Sequence, residues 1–231
     1  VKASVQKAYR VPTLNELYYF PGGNDQLKPE NGWNKEAGYT LQWKRKRLSI
    51  EQHTYYFDRN ISDWIYWLGG AIWTPHNLAK VHSRGLDMGL QMQWKWRNTQ
   101  SLKLHTNYTY TLATTEASYM PNDKSIGKQI PYTPKYLIQN TLSYQYLGWT
   151  GIVNVMYTGY RYTTTDESQY LAPYTLTNLR LGYSYQKGKH RWQALLGIEN
   201  LWNSRYQVVN ARPMPGRSLQ FTLIYTKSKQ R

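Results

Sequence analysis

The chain has 231 residues, no cysteine and a formal net charge of +16. That length allows one large β domain, the lack of cysteine excludes disulfides and thiolate metal sites, and no apolar run reaches the roughly 18 residues a membrane helix needs. Strands that cross a membrane are not excluded by a mean hydropathy of -0.74, because their signal is short and alternating.

Aromatic usage is biased, with 23 Tyr and 10 Trp against 3 Phe. Tyr and Trp suit places where one end of the ring is dry and the other wet.

Val1-Lys2-Ala3-Ser4-Val5 opens directly in a strand pattern without a signal peptide, so either the protein is cytosolic or the chain is a mature or truncated piece; truncation is favoured by the strand pattern that follows. The first strand runs from Lys2 to Tyr9 and is followed by a link, Arg10 to Lys35, rich in Pro, Gly and Asn. A hairpin then pairs Glu36–Lys44 with Leu48–Asp58 across a basic turn, Lys44-Arg45-Lys46-Arg47. A second long link holds Trp64, Trp67, Gly69-Gly70 and Trp73. The next hairpin, Val81–Trp96 with Ser101–Thr114, turns at Arg97-Asn98-Thr99. After the link Thr115–Gln129, Pro134–Tyr146 and Trp149–Tyr162 meet at Leu147-Gly148. Beyond a polar link, Tyr174–Tyr185 and Arg191–Leu201 pair across a Lys-Gly turn, and Gly216–Tyr225 closes the series. The reading is all-β and antiparallel, about ten strands joined alternately by short and long connections, with no amphipathic helix.

In four strands one register is apolar and uncharged: Ala37, Tyr39, Leu41 and Trp43; Leu86 to Trp96; Leu102 to Leu112; and Leu219, Phe221, Leu223 and Tyr225. The opposite register carries Asn107, Thr109, Gln139, Thr141, Ser143, Asn178, Arg180, Ser218, Gln220 and Thr222. A soluble barrel also alternates, so position along the strand decides. Trp43, Trp94, Trp96, Trp149 and Trp192, with Tyr144 and Tyr183, lie beside short turns, while Tyr39, Tyr108, Tyr110 and Tyr157 lie toward the long links. Aliphatic residues fill the middles, which is the aromatic girdle pattern of a transmembrane barrel facing outer-membrane lipid. The many long polar side chains need a bore wider than ten strands enclose, and an open sheet is not allowed in lipid, so further strands are expected.

Cations concentrate in the short turns, where they suggest a ring facing anionic headgroups. Nine rings in the links, Tyr18, Tyr19, Phe20, Trp64, Trp67, Trp73, Tyr119, Tyr170 and Tyr206, are candidates for contact with a bulky ligand, or alternatively pack link against link. Glu16 and Glu30 are placed to cap or to pair with Arg10 and Lys28. His53, His76, His82, His105 and His190 lack metal-ligand spacing, and no Ser-His-Asp or paired-carboxylate arrangement is readable. The expectation is a non-enzyme that needs neither cofactor nor metal.

The links then become recognisable. Ala8-Tyr9-Arg10-Val11-Pro12-Thr13-Leu14-Asn15-Glu16-Leu17-Tyr18 resembles a segment of TonB-dependent outer-membrane receptors. So do Leu27-Lys28-Pro29-Glu30, Ile130-Pro131-Tyr132-Thr133-Pro134, Glu199-Asn200-Leu201-Trp202-Asn203 and Pro213-Met214-Pro215-Gly216-Arg217, in the family's order and most like its cobalamin and siderophore branch. The resemblance implies the C-terminal portion, over residues 1–231, of a barrel of about 22 strands. It also implies an N-terminal plug that has no counterpart here, a small-molecule nutrient as ligand, the TonB complex as energy source, and the bacterial outer membrane as location. Members usually end on an aromatic residue; Tyr225 stands at that place and Thr226 to Arg231 follow it. Two rival readings stay open: a soluble basic β-barrel that binds nucleic acid or an anionic ligand, and a passive porin-type barrel.

Overall fold

The computed structural model describes residues 1–68, 71–97 and 99–227. Gly69-Gly70, Asn98 of the expected Arg97-Asn98-Thr99 turn, and the tail residues Lys229 and Arg231 lie outside the described residues.

In chain order the strands are β1 (Lys2–Arg10), β2 (Glu30–Arg45), β3 (Leu48–Leu68), β4 (Thr74–Arg97), β5 (Gln100–Ala117), β6 (Tyr136–Tyr146), β7 (Trp149–Thr158), β8 (Arg161–Tyr162), β9 (Tyr170–Leu171), β10 (Tyr174–Lys187), β11 (His190–Glu199), β12 (Gln207–Val209), β13 (Arg212–Pro213) and β14 (Ser218–Lys227). Ten of them form one antiparallel sheet in the order β1-β2-β3-β4-β5-β6-β7-β10-β11-β14. The pairs β8-β9 and β12-β13 are small ribbons inside two of the links. Ten main strands with alternating short and long connections are what the sequence pattern called for.

Register places every apolar run on one face. Trp43 opposes Ile50, Ile50 opposes Met92, Met92 opposes Leu104 and Leu104 opposes Leu142. The row continues from Leu142 to Val153 and Leu179, then through Ile198 to Leu219. This face is not buried: Leu41, Phe221 and Leu223 are 62, 69 and 61 % exposed. A soluble barrel would have turned the same side chains into a dry core. The molecule's buried cluster lies elsewhere, at the long-link end, where Val81 and Ala113 from the polar-face register pack with Leu78 and Ile130.

Short turns hold the opposite end. Leu147 and Gly148 have φ of 43° and 90°, the doubly positive pair of a type I′ two-residue hairpin turn. Beside these turns the rings meet on the apolar face. Trp94 stacks on Trp96 at 4.7 Å, Trp149 lies 4.7 Å from Tyr183, and Trp192 lies 4.5 Å from Tyr225. Trp43 and Tyr144 share that face, because Trp43 opposes Ile50 and Tyr144 opposes Leu102. Toward the long links a second set of rings includes Tyr110 and Tyr136, 5.3 Å apart.

Three features depart from the sequence reading. Residues 14–18 form a short helix, α1 (Leu14–Tyr18), where a plain link was expected. Its start is a capping box: Thr13 Oγ1 accepts from the Glu16 N–H at 3.2 Å, and Glu16 Oε2 accepts from the Thr13 N–H at 2.7 Å. Trp64 and Trp67 are strand residues, not loop residues, because β3 and β4 stay paired as far as Leu68 and Thr74. The pairing is interrupted at Asp63, whose φ is +56°. The turn cations share the short-turn end but not one face. Lys95 and Arg191 fall in the polar-face register, while Arg45 and Lys187 fall in the apolar-face register. Successive residues of a strand point to opposite faces, so a basic run at a turn divides between them.

Candidate functional site

The polar face and the long-link end together make one continuous polar surface that the ten main strands share. On the wall, Asp87 accepts from Thr109 Oγ1 at 3.1 Å and lies 3.5 Å from His53 Nε2. Asn154 donates to Thr141 Oγ1 at 2.9 Å, and Arg180 pairs with Glu199 at 3.0 Å. The polar residues read from the sequence all belong to this face, as the pairs Asn107–Gln139 and Arg180–Gly197 show. His82 lies on the other side of the sheet, between Asp58 at 2.7 Å and Glu116 at 3.6 Å, and His190 bonds Tyr225 Oη at 2.6 Å.

At the mouth, the first link is latched to the sheet. Arg10 donates to Glu16 at 3.1 Å and to Glu30 Oε1 at 2.5 Å, and Glu30 Oε1 also accepts from the Ile65 N–H at 2.8 Å. Glu16 is buried, which by itself pushes its carboxyl up. The Thr13 N–H and hydroxyl and the Arg10 guanidinium outweigh that and hold it below the usual carboxylate value. Pairing of both glutamates with Arg10 matches the expectation. Lys28 instead sits 4.8 Å over the Tyr119 ring.

The nine candidate rings do not form one surface. Tyr19 meets Trp67 edge-on at 6.2 Å, and both line a cavity of about 450 Å³ together with Trp73, Pro21, Ile72 and Arg212. Trp73 also contacts Tyr132 at 5.8 Å. Trp64 packs on the buried Leu78–Val81 cluster. Tyr119 donates to Asp63 Oδ1 at 2.5 Å, a bond that pushes its phenol up. Tyr170 lies 6.2 Å from Tyr160, while Tyr18 and Phe20 are exposed. Tyr206 sits 4.7 Å from Tyr174 beside a second cavity of about 560 Å³, and burial pushes its phenol up.

Sequence reasoning passed over three buried polar groups. Gln129 Oε1 accepts from the Ala113 N–H at 3.1 Å, and the Gln129 N–H donates to Glu167 at 2.8 Å, which ties two links together. Asn200 accepts from the Ser204 N–H and donates to the Ser204 carbonyl, both at 2.9 Å, so the Glu199-Asn200-Leu201-Trp202-Asn203 motif is a turn clamp. Arg161 is 5 % exposed, although an arginine in a polar link carries no local sign of burial.

The pattern of the family "TonB dependent receptor-like, beta-barrel" matches residues 1–201. Among curated relatives, the vitamin B12 transporter BtuB of Photobacterium profundum is 24% identical over 189 residues, 79% of this chain and 28% of its own. BtuB of Vibrio vulnificus is 31% identical over 90 residues, 37% of this chain and 14% of its own. Among solved structures, the copper transporter OprC superposes with a TM-score of 0.69 at 16% identity, covering 98% of this chain and 36% of its own. The ferric enterobactin receptor PfeA of Pseudomonas aeruginosa gives 0.65 at 22%, covering 98% and 38%. These relatives are transporters and receptors, not enzymes, and the chain spans 28% or less of the curated ones. An exposed apolar face banded by rings, a polar inner face and a family match over most of the length agree: the chain belongs to the TonB-dependent receptors and is a portion of their bacterial outer-membrane β-barrel.

Proposed function

We propose that this chain is the C-terminal barrel portion of an active outer-membrane transporter that takes up a scarce nutrient, cobalamin or a ferric siderophore. Long links at the mouth capture the ligand, the polar face gives it a wet path, and a plug domain encoded before Val1 gates that path with energy from the TonB complex. The observation that carries the reading is the single apolar face running from Ala37 through Leu104 to Leu223, with rings at both of its ends. Trp43, Trp94, Trp96, Trp149, Trp192, Tyr144 and Tyr183 are assigned to the lipid interface at the short-turn end, where amphipathic rings rest at headgroup level. The names of the relatives, vitamin B12 transporter and ferric enterobactin receptor, support the two ligand classes.

The test is uptake by the complete encoded protein in cells that lack their own receptors. Labelled cobalamin and ferric siderophores are supplied with TonB present and absent. Accumulation of one class that needs TonB is the expected result. Accumulation of small solutes regardless of TonB indicates a passive barrel and overturns the proposal.

A further inference from the structure

Arg161 carries an unbalanced charge. Its Nη1 donates to the Val208 carbonyl at 3.3 Å and its Nη2 to the Gln207 carbonyl at 2.7 Å. Its guanidinium lies 5.2 Å over the Tyr174 ring, and its Nε is buried without a partner. No carboxylate pairs with it among the described residues. Arginine stays protonated at any working pH, and a buried cation without a counter-charge is costly.

The second cavity adjoins this charge. Leu171, which is the strand partner of Arg161, lines that cavity, as do Tyr174 beneath its guanidinium and Gln207 at its Nη2. Tyr206, Met214 and the exposed Arg205 complete the part that matters, and no Asp or Glu among the described residues lines the cavity. Tyr174 is in register with Thr158 and two residues before Leu176, so the cavity opens at the long-link end of the polar face. Two tyrosine rings with leucine, proline and methionine suit a flat apolar body. A free guanidinium on one side and a buried one behind suit a carboxylate on that body. A small hydrated anion would leave Pro213 and Met214 wet and gain nothing from the rings.

We propose that this cavity binds an aromatic carboxylate carried by the transported ligand, which selects the siderophore over cobalamin, whose acid side chains are all amides. The ring lies against Tyr174 and Tyr206, Arg205 donates to the carboxylate, and Arg161 contributes its charge from behind. The proposal rests on the reading of the long-link end as the ligand's entrance.

The complete protein in detergent is titrated with 4-fluorobenzoate and with neutral 4-fluorobenzamide, read by ¹⁹F line broadening. Saturable binding of the benzoate is expected, with the amide about tenfold weaker or worse, since only the anion meets the charges. Arg205→Glu, at an exposed position that leaves the fold intact, should weaken the benzoate by about tenfold, while Arg205→Lys keeps most of it. Tyr206→Ala should weaken benzoate and amide alike. Equal binding of the two probes, or benzoate binding unchanged in Arg205→Glu, overturns the site. Uptake that ignores TonB while this discrimination persists overturns the transporter reading alone. TonB-dependent uptake without the discrimination overturns only the site.

Discussion

The ring of His53 occupies the space over Gly89: a β-carbon built there would stand 2.1 Å from His53 Cε1. The two residues oppose each other across β3 and β4 on the polar face. At Gly85 a β-carbon would meet the Tyr110 carbonyl oxygen at 1.9 Å and also the Phe57 ring at 2.7 Å. Rings therefore lie flat on the wall, and the bore keeps its width. Gly89→Ala should push His53 off Asp87 and destabilise the barrel by about 1–3 kcal/mol, the usual cost of overpacking. Urea unfolding of the protein in lipid vesicles, followed by tryptophan emission, measures it. An unchanged midpoint would show that the ring is free to move.

Arg10 holds two buried carboxylates at once. Arg10→Ala leaves Glu16 and Glu30 without their cation, at a cost of about 1–3 kcal/mol for each unpaired buried group. The first link should loosen while the sheet stays intact. Limited proteolysis between Thr13 and Lys28 should become several times faster, with cleavage elsewhere unchanged; equal rates across the molecule would contradict the latch.

Acid should open the same latch. Thr13 and Arg10 hold the Glu16 carboxyl below its ordinary value of 4.5. A depressed native value means the carboxylate adds stability above the ordinary range and loses it as pH falls through the lowered value. Hydrogen exchange at α1 should be flat from pH 7 to about 5, after correction for the intrinsic rate, and should rise below that. In the polar link, Asp166 accepts from the Ser168 N–H and hydroxyl, and the hydroxyl, with Thr164, holds it at about 2. Any protection this carboxylate gives residues 164–168 should begin to fall only as pH approaches its ordinary value of 3.8, and should be lost progressively down to about 2.

The two faces should respond oppositely to charge. Leu104→Arg puts a cation on the apolar face at mid-strand, worth about 2–4 kcal/mol against insertion. Asn107→Lys puts one on the polar face and should cost little. The amount of each variant recovered in the outer membrane distinguishes them, and similar losses from both would reverse the assignment of faces.

The main sheet was readable because its signal has a period of two and repeats: Leu86 to Trp96 and Leu102 to Leu112 each name their own face, and Leu147-Gly148 names its own turn. The outer arm of β3 and β4 was not. There Trp64, Trp67 and Pro75 break the alternation, and pairing is maintained by contacts from afar, such as Asn77 Nδ2 to the Lys28 carbonyl at 3.1 Å. Helix α1 had a visible start in Thr13 and Glu16, but five residues are too few for a periodic stripe. Ring partners such as Tyr206 with Tyr174, and the burial of Arg161, depend on which links fold over which strands. No local pattern encodes that.

Every pairing in the ten-stranded sheet joins strands that follow one another along the chain, with only the two small ribbons intervening. Such a surface can be zipped up one hairpin at a time, each new strand docking on the one just formed. The loop-closure entropy of each step is then small. Within the described sheet β1 and β14 each keep one unpaired edge, and closing those edges against the further strands that a barrel in lipid needs is left as the slow event.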